Sequence, residues 1–163
     1  MARLGIKAKC YFLPTGTRAT WGVADADNVH NGPAPAALQE MPQVKDLTLN
    51  LSKGEADATT RGSGGWKVIL AGLKEGSIEF EMLWEPADTA FQAFFKAWLT
   101  DSNIAVAALD GDKAAAGSQG LWADFQVTGF VKKEPLNEPQ SVSITLKPGY
   151  SAVAPEWVKV AGA

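Results

Sequence analysis

One cysteine, one histidine and no long apolar run mark this 163-residue sequence, and each scarcity closes off a class of function. Cys10 alone can form no internal disulfide and no cysteine-based zinc cage. It lies in Ile6-Lys7-Ala8-Lys9-Cys10-Tyr11-Phe12, where a lone thiol reads as buried filler of a strand. His30 has no Gly-x-Ser-x-Gly elbow to serve, so a Ser-His-Asp triad is not expected. Gly-Ser-Gly-Gly at 62–65 lacks the Lys-Ser/Thr pair of a phosphate loop. Asp25-Ala26-Asp27-Asn28 and Asp110-Gly111-Asp112 stop short of the glycine and terminal glutamate of a calcium loop. No metal and no cofactor is therefore expected. No stretch approaches the roughly 20 apolar residues of a membrane-spanning helix, and the first residues, Met1 to Lys7, reach no apolar signal core, so neither a membrane role nor export is expected. Net positive charge is also missing: 15 basic against 18 acidic side chains give −3, the wrong balance for gripping a nucleic-acid backbone.

What is present is an ordinary globular composition, 46% hydrophobic and 20% charged, in a length that suits one domain spanning 1–163. A chain of this mass should expose roughly 7,800 Å² when folded, enough burial for a self-sufficient core. The dominant period is two. Leu47, Leu49 and Leu51 alternate with Asp46, Thr48 and Asn50; Ile78, Phe80, Met82 and Trp84 with Glu79 and Glu81; Ala123, Phe125 and Val127 with Asp124, Gln126 and Thr128; and Val142, Ile144 and Leu146 with Ser141, Ser143, Thr145 and Lys147. Strands with one apolar and one polar face belong to antiparallel sheets packed on one side. The expected fold is mainly β, an antiparallel β-sandwich or open barrel.

One segment has helical period instead. Over about 87–100, Phe91, Phe94, Phe95, Trp98 and Leu99 recur at three- and four-residue spacing behind Asp88, a suitable N-cap. This predicts one flanking amphipathic helix whose aromatic stripe enters the core. Residues 13–42, with Pro14, Pro33, Pro35 and Pro42, predict a long loop, and 52–65 an extended arm or long hairpin. Trp66 to Ala71 reads as a strand, followed by a turn at Gly72 and Gly76. The Pro/Ala-rich tail 148–163 is expected to wrap a neighbour or fray.

Charge is unevenly spread. Residues 1–24 carry Arg3, Lys7, Lys9 and Arg18 and no acid, whereas 75–124 carry nine acids against Lys96 and Lys113. These regions either neutralise each other within one chain or meet between copies. Glu79 and Glu81, about 6.5–7 Å apart on one strand face, have the spacing of an acid/base pair in a glycoside hydrolase, although a strand face is no cleft. The six tryptophans, Trp21, Trp66, Trp84, Trp98, Trp122 and Trp157, allow a second reading, a carbohydrate-binding β-sandwich that stacks sugars on exposed rings. Trp84 and Trp98 read as core, and Trp122 shares the parity of Asp124.

A more specific likeness lies in Ala58-Thr59-Thr60-Arg61-Gly62-Ser63, then Gly65-Trp66-Lys67, then Gly72-Leu73-Lys74-Glu75-Gly76-Ser77-Ile78. With the order of strands around them, and over about residues 44–150, these resemble the major tail tube proteins of tailed, siphophage-like bacteriophages, which are distantly similar in fold to the type VI secretion tube protein. The resemblance implies a structural virion protein, not an enzyme, that is made in the host cytoplasm and forms hexameric rings stacked into a tail tube. It implies partners too: further copies of the chain, and the tape measure, tail tip and terminator proteins. Polar strand faces would line the channel, with Asp46, Glu79, Glu81, Asp124, Gln126 and Thr128 as candidates, and DNA would pass an acidic wall without binding it. Thr59, Thr60, Arg61 and Trp66 would form an arm between subunits or rings, and Arg3, Lys7, Lys9 and Arg18 a basic interface.

Overall fold

The computed structural model describes residues 2–161. Its ten strands, in chain order, are β1 (Lys9–Phe12), β2 (Val23–Ala24), β3 (Val29–Gly32), β4 (Gln39–Glu40), β5 (Val44–Asp57), β6 (Ile69–Leu83), β7 (Ile104–Leu109), β8 (Gln119–Lys133), β9 (Ser141–Pro148) and β10 (Glu156–Val160), with one helix, α1 (Thr89–Thr100), after β6. Hydrogen bonding runs β2-β3-β10-β8-β7-β1-β4, and a second path, β5-β6-β9-β8, joins it at β8. The first half of β8 pairs with β10 and β7, and the second half, Phe125–Lys133, pairs with β9. The expected mainly-β fold with one helix is present, as an open sheet folded over on itself rather than a closed barrel. It is mixed rather than wholly antiparallel, because β10 runs parallel to β3.

The main core lies inside the fold. Cys10, Phe12, Val106, Ala123 and Phe125 face Ile78, Phe80, Met82, Val142, Ile144 and Leu146 across it. The helix closes one flank. Asp88 accepts a hydrogen bond from the Phe91 N–H at 3.1 Å, as its N-cap position predicts, and Asp101 ends the helix in a left-handed turn. Phe94 is wholly buried, edge-on to Phe80 with ring centroids 5.4 Å apart. The aromatic stripe divides, however: Phe91 and Phe94 enter the core, while Phe95, Trp98 and Leu99 are exposed. A stripe that wide exceeds the face the sheet can cover.

A second core, with Tyr11, Trp21, Ala107, Leu109, Trp122 and Val158, lies on the opposite face of β7 and the first half of β8. It corrects several expectations. The 13–42 segment is not a plain loop, since it carries β2, β3 and β4 and lays Trp21 and Leu38 over this second face. Trp122 does share the side of Asp124, but that side is covered here, so the ring is 1% exposed and edge-on to Trp21. The tail contains β10, whose Val158 and Val160 are buried; Gly162 and Ala163 lie outside the described residues. Strand β7, Ile-Ala-Val-Ala-Ala-Leu, is buried along its whole length and has no alternation to read.

Gly72 and Gly76 make no turn, because β6 runs unbroken through both. A Cβ on Gly72 would meet the Gly54 carbonyl oxygen at 3.1 Å. The glycine serves close approach of two strands beside the register shift at Lys53/Glu55, not chain reversal.

Candidate functional site

The sheet β5-β6-β9-β8 presents one bare polar face, and its register shows which residues share it. Directly opposed residues point to the same side of a sheet. Asp46 lies opposite Glu81, and Glu81 opposite Ser143; Thr48 lies opposite Glu79, and Glu79 opposite Thr145. Gln126 lies opposite Lys147. Asp46, Glu79, Glu81 and Gln126 are thus brought to one face, and Thr128 is the extra residue of a bulge beside it, between Val127 and Gly129. The same register adds Ser143, Thr145, Lys133 and Lys147, which the alternation of 141–147 could have placed there. Acids gather on β5 and β6, while lysines stand on β8 and β9. The Ser141 hydroxyl donates to Glu81 and, aided by Lys133 and Lys45, holds its carboxyl below the usual pKa against a smaller opposing effect of desolvation.

Asp124 lies apart from that group. Its side chain is enclosed by Arg18, whose Nε donates to it at 3.1 Å, and by the Ser151 hydroxyl. Arg18, expected at a basic surface, is fully buried at its side chain. Its other nitrogens donate to the carbonyls of Trp122, Val153 and Ala154, and Nη1 is 4.0 Å from Glu156. Arg3 pairs with Asp110 at 2.6 Å. Lys9 bridges Asp112 and Glu40, and those hydrogen bonds raise its pKa. The basic start and the acidic middle therefore neutralise each other within one chain at three of four positions. Lys7 alone stands in an exposed turn without an ion-pair partner among the described residues.

Beyond Asn50↔Ser77, β5 and β6 have only each other. Pairing of β6 with β9 stops at Ile78, yet β5 and β6 stay paired out to Asp57↔Ile69. The result is a two-stranded arm projecting about 27 Å at strand rise. Thr59 bridges Val68, and a reciprocal cap between Thr60 and Ser63 shapes the tip. Arg61 and Trp66 are exposed there, Trp66 at 79%. An isolated hairpin is marginal in water, and this one sets Lys53 opposite Lys74, a like-charge pair that costs stability. The whole chain exposes 10251 Å², about a third more than a compact monomer of its mass should.

A projecting arm, unpaired strand edges and excess surface describe a subunit rather than a free-standing domain. The family model for "Phage tail tube protein" matches residues 28–149. The chain belongs to this family. Members of the tail tube family are structural proteins, and the fold agrees with solved examples. A chain in the virion of a native gene transfer agent particle superposes with a TM-score of 0.66 at 14% identity, covering 96% of this chain and 98% of that one. The tail of an empty gene transfer agent particle, refined with C6 symmetry, gives 0.65 at 15% identity, covering 92% and 96%. The SPP1 tail tube gives 0.61 at 14% identity, covering 96% of this chain and 78% of that one. None of the curated proteins compared matches the sequence.

The residues of the sugar-stacking and hydrolase readings are not gathered into one site among the described residues. Trp21 and Trp122 are buried, and Trp66 and Trp98 are exposed on separate elements, the arm and the helix. Glu79 and Glu81 stand on an open face. His30 has its Nδ1 3.2 Å from the Trp21 carbonyl and 3.8 Å from Glu156, as part of the buried packing around Arg18. Among the described residues no group of side chains is arranged to hold a metal ion, and no helix is long and apolar enough to cross a membrane.

Proposed function

We propose that copies of this chain close into rings, six per ring as in the C6 tail that it resembles in fold, and that the rings stack into a tail tube through which DNA leaves the particle. The observation that carries this reading is the four-stranded sheet β5-β6-β9-β8, bare and polar on one face and free at both edges. Its strands alternate in direction. A β8 edge beside the β5 edge of the next copy is therefore antiparallel at every joint, and a ring leaves no edge exposed. The polar face becomes the channel wall, lined by Asp46, Glu79, Glu81, Gln126 and Thr128. Asp124 and Arg18 stay within the fold and drop out of both candidate surfaces. On that wall Asp46, Glu79 and Glu81 offset Lys133 and Lys147, so it offers phosphates no net positive charge to hold and DNA slides.

The arm extends from the same sheet along the strand direction, the direction in which a tube would grow. Arg61 at its tip meets a carboxylate of a neighbouring ring, where a guanidinium fixes register better than an ammonium. Tape measure, tail tip and terminator proteins would meet the tube at its lumen and ends. The channel is tested with the double variant Glu79→Lys, Glu81→Lys. Its tubes should form as before but co-sediment with short duplex DNA at physiological salt, where the unaltered tubes do not. Variant tubes that ignore DNA would remove these two residues from the channel wall.

A further inference from the structure

The two free edges of the polar-faced sheet also differ on its other, apolar side. At the β8 edge the helix is in place: Phe130 packs against Phe91, Phe95 and Trp98, with centroids 5.6 Å from Phe95 and 6.2 Å from Trp98. Phe95, Trp98 and Leu99 stay exposed beside it, at 37%, 45% and 57%. At the β5 edge the apolar side is only partly covered, and Leu47 is 36% exposed. Leu47 and Leu49 look into an open groove of about 870 Å³, whose walls include Ile6, Met41, Val44 and Trp157. One edge carries a ridge and the other a hollow of the same chemistry.

The register puts the two at one height. A row of core-facing residues crosses all four strands as Leu47, Phe80, Ile144 and Phe130. When the β8 edge of one copy joins the β5 edge of the next, Phe130 with its attached ridge comes beside Leu47. A stagger of two or four residues toward the end of β5 brings Leu49 or Leu51 there instead, and the apolar column continues in that direction. We infer that within a ring the aromatic ridge of each copy, Phe95, Trp98 and Leu99, seats in the leucine groove of its neighbour, so that every subunit completes the core of the next. This rests on the ring reading above and adds what holds the ring together outside the channel wall. Buried aromatic anchors of this kind carry most of the energy of an interface.

The first experiment uses the unaltered protein. Hydroxyl-radical footprinting of monomer and tube should show Phe95, Trp98 and Leu47, all exposed in the single chain, protected together several-fold on assembly; a ridge or a groove as reactive in the tube as in the monomer overturns the inference. Trp98→Ala, at an exposed position, should leave the monomer folded and raise the concentration needed for assembly on the order of tenfold or more. Assembly at the unaltered concentration contradicts the ridge. Short bismaleimide linking then separates this claim from the ring reading. At a concentration high enough for the Trp98 variant to assemble, a mixture of Leu47→Cys or Leu49→Cys with Trp98→Cys should link between copies, and so should Asp46→Cys with Val131→Cys across the channel-side joint. Linking of the second pair without the first keeps the ring and removes the ridge-in-groove contact. Tubes in which neither pair links remove both, as does a chain that never assembles.

Discussion

Replacing Arg18 with methionine should destabilise the isolated subunit by about 3–5 kcal/mol, the usual consequence of stripping a buried carboxylate of its partner. The side chain is wholly enclosed, with Nε on Asp124 at 3.1 Å and Nη2 on the Ala154 carbonyl at 2.9 Å. Methionine fills the hydrocarbon part of the space but leaves Asp124 and Glu156, 13% and 6% exposed at their side chains, without their shared cation. Glu156 keeps the Trp21 N–H at 3.0 Å, and Asp124 keeps the Ser151 hydroxyl, so the residual cost is one of charge. For a domain of this size the loss corresponds to a fall of about 6–20 °C in Tm, read by circular dichroism on monomer at neutral pH. Adding Asp124→Asn should recover part of the loss, because the two residues are coupled. A Tm within about 2 °C of the parent, or strictly additive effects, would refute the argument that this ion network pins the 151–156 segment onto the second core.

Asp88→Ala should cost about 0.5–2 kcal/mol by freeing the Phe91 N–H at the start of α1, measured as a shift in the denaturant midpoint. Arg61→Glu should leave Tm unchanged, since the side chain has no partner within its own chain among the described residues, yet abolish tube growth in negative-stain images; tubes of normal length would remove the arm from the account. Asp25, Asp57, Asp112 and Glu81 are held below their ordinary pKa values, chiefly by the Val29 N–H, the Thr59 hydroxyl, the Ala114 N–H and the Ser141 hydroxyl respectively. A depressed carboxylate stabilises the fold above its unfolded pKa and loses that contribution as pH falls through the folded value. Tm should therefore hold from neutrality to about pH 5 and decline below about pH 4, and a Tm that rises on acidification would contradict those bonds.

The sheet on which the proposed function rests was the most legible part of the sequence. Segments 44–52, 77–84, 123–128 and 142–147 alternate because one side is apolar core and the other polar, and they are the strands that meet in β5-β6-β9-β8. The helix was legible for the same reason, an apolar face behind a capping aspartate. What escaped was whatever a second layer covers. Strand β7 is buried on both sides and so has no period, and β10 sits in a Pro/Ala-rich tail whose pairing with β3 comes from across the chain. Asp124 and Trp122 were assigned correctly to one side of β8, but only the fold shows that the 13–42 segment covers that side at its first half. Arg18 looked like one more surface cation; nothing local to it in sequence announces Asp124, 106 residues on.

In the proposed tube the polar face of β5-β6-β9-β8 is the wall of a channel. Cryo-electron microscopy of tubes grown from the purified protein tests it most directly. The expected result is a continuous antiparallel barrel, β5 of each copy beside β8 of the next, with Glu79 and Glu81 pointing into the lumen. Tubes in which those two carboxylates face outward, or in which the edges of this sheet stay unpaired, would contradict it.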